Sequence, residues 1–222
     1  MVEKNRRRIN TGSAKIRRFS ERDIRQVIET YKSAFAEEPW NEYMKCKRCG
    51  VNFGKKEAES VRPGTNCKGC GSLLELAEFW SAVDIIEDLK FALSMTTPII
   101  LVAEIPLQGV VGFVWGYRLP FEKFPFLGGK VSKGAHYMDD IAVASGFRRL
   151  GIGTMLTKSY ILRLSELQSD EIVLRTDERN EAPVGMYRKL GFEPVSDPSD
   201  PRGSVYDPKF PDRIYLKLKL GG

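Results

Sequence analysis

Apolar residues fall into two kinds of block along this chain. PIILVAEI (98–105) and GVVGFVWGYRL (109–119) are nearly continuous apolar runs joined by a short turn around Pro106–Gln108. They predict adjacent strands of a sheet covered on both faces. HYMDDIAVA (136–144), EIVLRT (171–176) and GFEPV (191–195) predict further strands, RIYLKLKL (213–220) alternates like a closing strand, and AKIRRF (14–19) predicts a short opening one. Elsewhere the period is helical. Ser20 is placed to cap a helix over 21–36 with Ile24, Val27, Ile28 and Tyr31 on one face, which Pro39 in FAEEPWNEYMK stops. A second helix over 80–94 carries Val83, Ile86, Leu89 and Leu93, and a third over 151–167 carries Leu156, Tyr160, Leu164 and Leu167. APVGMYRKL (182–190) is a short fourth.

The order β-α-α-β-β-β-α-β-α-β-β predicts a mixed α/β domain that binds its ligand beyond the carboxyl ends of its strands. FEKFPFLGGKVSKG (121–134) reads as a mobile loop, and residues 196–212, with four prolines, as another. Residues 45–71 show neither period. They hold all four cysteines, in CKRCG (46–50) and CKGCG (67–71).

At 222 residues the chain suits one large domain, or a domain with a small module. No apolar run approaches the ~18–20 residues that span a bilayer. The start, MVEKNRRRINTGSAK, lacks the apolar segment of a secretory signal, so a reducing cytoplasm is expected. The net charge of +6 is unevenly spread: residues 1–18 carry +6 and residues 45–71 carry +5, which leaves −5 for the rest. Residues 1–13 therefore read as a flexible basic arm, and the main body is mildly acidic. This tells against a nucleic-acid surface over the whole protein and leaves open a basic appendage on an acidic body.

The spacing C-x2-C-x17-C-x2-C, with glycine after each pair, matches a four-thiolate zinc site made by Cys46, Cys49, Cys67 and Cys70, with two disulfides as the alternative. With no ligand position left for water, such a Zn²⁺ would be structural. Four thiolates around Zn²⁺ sum to −2. The local Lys45, Lys47, Arg48 and Lys68 either balance that charge or form a docking patch for an acidic partner.

The stretch DDIAVASGFRRLGIGTML (139–156) runs from a strand through a turn with Arg148 and Arg149 into a helix opened by Gly151 and Gly153. A helix start offers unpaired N–H groups and about half a positive charge. Glycines let an anion reach that backbone, and arginines add charged donors. The pattern suits a pyrophosphate, although glycines that merely permit tight packing would look the same. It is neither a Walker loop nor a dinucleotide fingerprint.

A second strand–helix pair follows with NEAPVGMYRKLGF (180–192). Together these motifs resemble the GNAT superfamily of acetyl-CoA-dependent N-acetyltransferases, most closely over residues 97–195. The resemblance implies a mixed, mostly antiparallel sheet flanked by helices over residues 14–222. A small zinc ribbon (45–72), foreign to the family's usual plan, would interrupt it between the first two helices. It implies that Arg148, Arg149, Leu150, Gly151, Ile152, Gly153 and Thr154 cradle the pyrophosphate of acetyl-CoA. The backbone of Ile141, Ala142 and Val143 would pair with its pantetheine arm, Asn180 would contact the cofactor, and Tyr187 would protonate the departing thiolate. Pro183 and Ser145 depart from the family's common residues without removing a functional side chain.

Acetyl transfer to an amine also needs a base, since deprotonating an amine of pKa ~10 at neutral pH costs about 4 kcal/mol. Asp139 and Asp140 are the candidates. Strand alternation sends one of them into the cleft, Asp140 by preference unless a bulge intervenes. Glu104 is a lesser candidate, and His136 reads as structural or exposed. Residues 36–42 and 121–134 would wall the acceptor side, with Glu37 and Glu38 either attracting a cation or forming a solvated cluster. The implied acceptor is an amine, small molecule or protein. The competing readings are a non-catalytic acyl-CoA-binding module and a nucleic-acid- or protein-binding module using the basic insert.

Overall fold

The computed structural model describes residues 14–221; the basic segment 1–13 lies outside them. Seven strands form the main sheet: β1 (Lys15–Arg18), β5 (Ile99–Ile105), β6 (Gly109–Arg118), β7 (His136–Val143), β8 (Glu171–Asp177), β9 (Glu193–Pro194) and β10 (Arg213–Lys219). Their order in space is β1-β5-β6-β7-β8-β10-β9. Every pairing is antiparallel except β7 with β8. The sequence expectation of a mixed, mostly antiparallel sheet flanked by helices therefore holds.

β5 and β6 read as continuous apolar runs because both of their faces are covered. Val102, Phe113, Trp115 and Tyr117 meet α1 (Ile24–Phe35) and α3 (Ala82–Ser94) on one side. Leu101, Ala103 and Val114 meet α4 (Ile152–Glu166) on the other, where α5 (Glu181–Lys189) adds Tyr187. Tyr31 of α1 stacks on Phe113 and Trp115, with centroids 5.9 and 6.0 Å away. Ser20 and Asp23 close the start of the first helix, where Asp23 Oδ2 accepts the Ser20 backbone N–H at 2.8 Å. Arg17 ties Asp23 (2.7 Å) to Glu104 of β5 (2.6 Å). Glu104 is thereby a structural carboxylate that fastens the edge strand, and it lies outside the cleft described below.

The cysteine segment, which shows no period, nevertheless forms a second sheet. Its strands β2 (Met44–Cys46), β3 (Asn52–Phe53) and β4 (Leu76–Glu78) lie in the order β3-β2-β4, with a one-turn helix α2 (Lys55–Glu59) between them. Strands of two or three residues are too short to register a period. Its own core holds only Cys46, Phe53 and Cys67 as buried residues, far too little to hold a fold without a staple.

The 121–134 loop departs from expectation. Its phenylalanines are drawn onto the core: Phe124 lies 4.8 Å from Tyr137, Phe126 lies 5.4 Å from Tyr215, and Leu127 is fully buried. Burying such rings outweighs the freedom that its glycines offer. Among the described residues, none of this loop lines the cleft.

Candidate active site

β7 and β8 pair at three positions only, His136↔Ile172, Tyr137↔Val173 and Met138↔Leu174. Beyond Met138 they part, while β7 stays joined to β6 as far as Val143. Main-chain groups of residues 139–143 on the β8 side are thus left without a strand partner and open to the gap. Across it stands the first turn of α4. No side chain caps that turn and it holds no acidic residue, so its free N–H groups favour an anion.

Gly151 is the helix N-cap at φ 80, in the left-handed region, and a Cβ there would meet no heavy atom within 4 Å. A Cβ at Gly153 would make only ordinary contact, 3.5 Å from Met186 Sδ. Crowding therefore explains neither glycine; at Gly151 the backbone turn does. Residues 145–154 line a continuous cleft of about 2950 Å³ together with Asn180 and Tyr187. Arg149 also turns through a left-handed φ of 62. The Arg148 guanidinium donates to the Ala34 carbonyl near the end of α1. It thereby ties that helix to the turn, a role the sequence does not suggest.

Asp139 and Asp140 do not follow the expected alternation. The register shifts between Trp115↔Asp140 and Gly116↔Met138, which leaves Asp139 as the extra residue of a bulge. Asp140 opposes Trp115 and so faces the α1 side, and Asp139 accepts a hydrogen bond from Tyr117 Oη at 2.9 Å on that same side. Both carboxyls consequently line the cleft. Burial pushes Asp139 up to about 6, against the pull of the Tyr117 hydroxyl and Arg175. Burial, and then Asp139 itself, pushes Asp140 well above the carboxylate range. Tyr187 on α5 is 4% exposed, packed on Phe192 with ring centroids 5.5 Å apart. Burial and then the Asp140 carboxylate raise its phenol, so it stays protonated at neutral pH.

The acceptor-side wall is built from residues 37–42 on one flank. There Glu42 accepts from Trp80 Nε1 at 2.7 Å, and burial raises its pKa. The opposite flank is Phe210–Arg213, from the proline-rich loop. Asp207 organises this flank. It accepts from the backbone N–H of Lys209 (2.8 Å) and Phe210 (3.1 Å), from Arg175 Nη1 (2.5 Å) and from Tyr215 Oη (3.2 Å). Sequence reasoning missed these residues. The one available signal was Arg175, a charge within an otherwise apolar strand. His136 lies away from the cleft, buried: its Nε2 donates to Thr97 O at 2.8 Å, so Nδ1 accepts from Tyr160 Oη at 2.7 Å. Burial lowers its pKa to about 4, and it stays neutral.

In the second sheet, the Sγ atoms of Cys46, Cys49, Cys67 and Cys70 all lie within 4.8 Å of one another, and Cys49 and Cys67 are 3.6 Å apart. Tetrahedral thiolates at the Zn–S bond length of ~2.3 Å would be ~3.8 Å apart, so the set fits a metal. Each knuckle closes identically: Gly50 N donates to Cys46 O and Gly71 N to Cys67 O, both at 2.9 Å, with φ of 76 and 69. The neighbouring cations are largely engaged locally. Lys68 pairs with Glu57 at 2.8 Å, Lys47 with Glu75 at 3.4 Å, and Arg48 bonds Ser72. The module also reaches the cleft. Lys55 N donates to Ala36 O at 2.8 Å, the Gly54 backbone lies against Asn41, and Gly50, Asn52 and Lys56 line the outer rim.

Comparison with known proteins adds three findings. The profile of the acetyltransferase (GNAT) family matches residues 72–192. N-alpha-acetyltransferase 30 of Homo sapiens is 43% identical over 56 residues, which are 25% of this chain and 16% of that protein. An N-alpha-acetyltransferase of Sulfurisphaera tokodaii is 35% identical over 92 residues, 39% of this chain and 52% of that one. The chain thus spans about half the length of the archaeal relative and a smaller share of the human one. Two solved structures share the fold. The ribosomal-protein-S18-alanine N-acetyltransferase of Escherichia coli has a TM-score of 0.55 at 14% identity, over 94% of this chain and 95% of that one. The PaiA N-acetyltransferase of Thermoplasma acidophilum, solved with coenzyme A, has a TM-score of 0.56 at 14% identity, over 93% and 99%. No helix among the described residues is long and apolar enough to cross a membrane.

Proposed function

The chain belongs to the GNAT family of acetyltransferases, and from that premise we propose that it moves an acetyl group from acetyl-CoA to a primary amine by direct attack in a ternary complex. The observation that carries this reading is the parting of β7 from β8 beside the uncapped start of α4. One gap offers free strand edge for an extended pantetheine arm and free helix N–H groups for its pyrophosphate. The cradle is Arg149 to Thr154, with Arg148 bracing it from α1, and Asn180 stands at the start of α5 beside the arm. The names of the relatives favour an α-amine as acceptor.

Each residue has one task in the transfer. Asp139 or Asp140 takes a proton from the ammonium, directly or through water, and the freed nitrogen attacks the thioester carbonyl. Backbone N–H near Val143 faces the developing oxyanion. As the C–N bond forms and the C–S bond breaks, Tyr187 gives its phenolic proton to the departing thiolate. The proton still carried by the acylated nitrogen passes through water to the phenolate, which restores the phenol and leaves a neutral amide. A screen of amines, amino acids and peptides, read by thiol release from acetyl-CoA, tests the assignment; no acceptor-dependent release from any class would overturn it.

Asp139 works as a base only when ionised, so turnover should rise with pH through about 6. The Tyr117 hydroxyl holds that pKa down. Tyr117→Phe should therefore move the acidic limb of kcat/KM to higher pH, and an unmoved limb would assign the proton to another group.

The four cysteines are assigned a structural zinc, which would staple the small sheet against the acceptor wall. Metal analysis of protein purified without chelator should give one zinc per chain. Chelation should change the fluorescence of Trp40 and Trp80 and weaken acceptor binding while leaving acetyl-CoA affinity within about threefold. Well under one zinc per chain, or an iron-containing protein, would overturn the assignment.

A further inference from the structure

Arg213 is the cation of the acceptor side with no use so far. It opens β10, paired with Asp177 at the end of β8, so its backbone stands where the strands have already parted. It lines the cleft, with the guanidinium carbon 5.1 Å from the Trp40 ring centroid and 4.2 Å from that of Phe210. The two rings come from the two segments 37–42 and 210–213 of the cleft lining. The backbone beneath is fixed, because Arg213 N donates to Phe210 O at 2.9 Å and Asp207 N to Arg213 O at 2.8 Å.

The other arginines of this flank are paired: Arg175 with Asp207, and Arg179 with Asp177 and Asp212. Arg213 makes no ion pair and no side-chain hydrogen bond with any described residue. Aromatic faces satisfy the charge of a guanidinium but none of its five N–H donors, which point outward in the ring plane. A guanidinium set beside two rings, with its donors unpaired in a cleft, is available to a carboxylate that meets it edge-on. The opposite sign waits deeper, at Asp139, Asp140 and Glu42. Arg213 and these three carboxyl groups line one and the same cleft, so both poles are open to a ligand bound in it.

We propose that Arg213 binds a carboxylate of the acceptor, making the acceptor a zwitterion: its ammonium lies on the Asp139/Asp140 side and its carboxylate on Arg213. This rests on the acetyltransferase reading and narrows it, since a polyamine supplies no partner for Arg213. The carboxylate has two sources, the main chain of a free amino acid or an acidic side chain beside the amino end of a polypeptide.

Kinetics on the whole chain with saturating acetyl-CoA distinguish these. The acceptors are glutamate, its carboxyl-amidated form, a peptide with an acidic second residue, the same peptide with the amide there, and a diamine. The wild type should show a KM at least tenfold lower for carboxylate than for the matching amide in one of the two pairs, with kcat within threefold. The pair that discriminates names the source. In Arg213→Gln the ratio should fall below two, and in Arg213→Lys, which keeps the charge but not the fork, it should be intermediate. Equal KM values in the wild type would overturn the proposal. So would a ratio that survives in both variants, or a KM raised equally for every acceptor, the diamine included. Calorimetric titration of the matched ligands reads the same preference without turnover. Wild type that turns over no acceptor but binds the carboxylate form more tightly sinks the acetyltransferase reading alone; wild type that turns over acceptors with no preference for the carboxylate sinks the role of Arg213 alone. Should Arg213→Gln fail to fold, Arg213→Lys and the wild-type ratio still decide.

Discussion

Replacing Tyr187 with phenylalanine should lower kcat by about 10²-fold, the low end of what a positioned general acid contributes. KM for acetyl-CoA should stay nearly unchanged. The ring is 4% exposed and packs on Phe192, and a phenylalanine there keeps that contact. Among the described residues the hydroxyl has no hydrogen-bond partner, so its loss strands no buried group. A drop of ~10²-fold corresponds to about 2.7 kcal/mol of transition-state stabilisation. That loss should grow with the pKa of the leaving thiol: acetyl esters of more acidic thiols, which depart without a proton, should show a smaller deficit. A variant within threefold of wild type, or a deficit independent of the thiol, would exclude Tyr187 as the acid.

Gly151→Glu should abolish measurable acetyl-CoA binding, weakening it by well over a hundredfold. Two effects combine. Any side chain at φ 80 strains the turn, costing roughly 1–2 kcal/mol. The open space around this Cα means that the new side chain meets no protein atom within 4 Å of its Cβ, so it enters the space meant for the ligand. Its carboxylate then sits at the positive end of α4 and takes the place of the pyrophosphate. Because that placement suits a helix start, thermal stability should fall only modestly while binding is lost. Gly151→Ala separates the parts, with strain alone and a far smaller loss. Unchanged binding in Gly151→Glu would move the phosphate site elsewhere.

Long apolar runs made β5, β6 and the strand–helix pairs legible in the sequence, because burial on both faces leaves no other reading. The residues of the cleft from 139 to 154 were legible for a similar reason, since a strand, a glycine turn and a helix are local and contiguous, whereas Asn180 and Tyr187 came only from the resemblance to a known family. What was not legible depends on partners far away in the chain. The bulge that turns both aspartates to one side is set by how β7 meets Trp115 and Gly116 of β6. The phenylalanines of 121–134 looked like a loop's and became core because Tyr137 and Tyr215 receive them. Arg213 and Phe210 gave no signal at all, since one more charge beside Asp207, Lys209 and Asp212 in a proline-bearing loop is ordinary until Trp40 is seen next to it. The cysteines announced a metal by spacing alone, yet the short strands they fasten lie below the length at which pattern speaks.

The place of β10 between β8 and β9 has a consequence for synthesis. In space it is an interior strand of the main sheet, but in the chain it comes after all the others. A nascent chain that has emerged as far as residue 212 already has the strand–turn–helix cradle, but not Arg213, and β8 presents a bare apolar edge ready to pair with any other strand. The cradle can therefore form on the ribosome before the Phe210–Arg213 flank of the cleft is complete. Arg213 arrives last, with the strand that also covers the edge of β8.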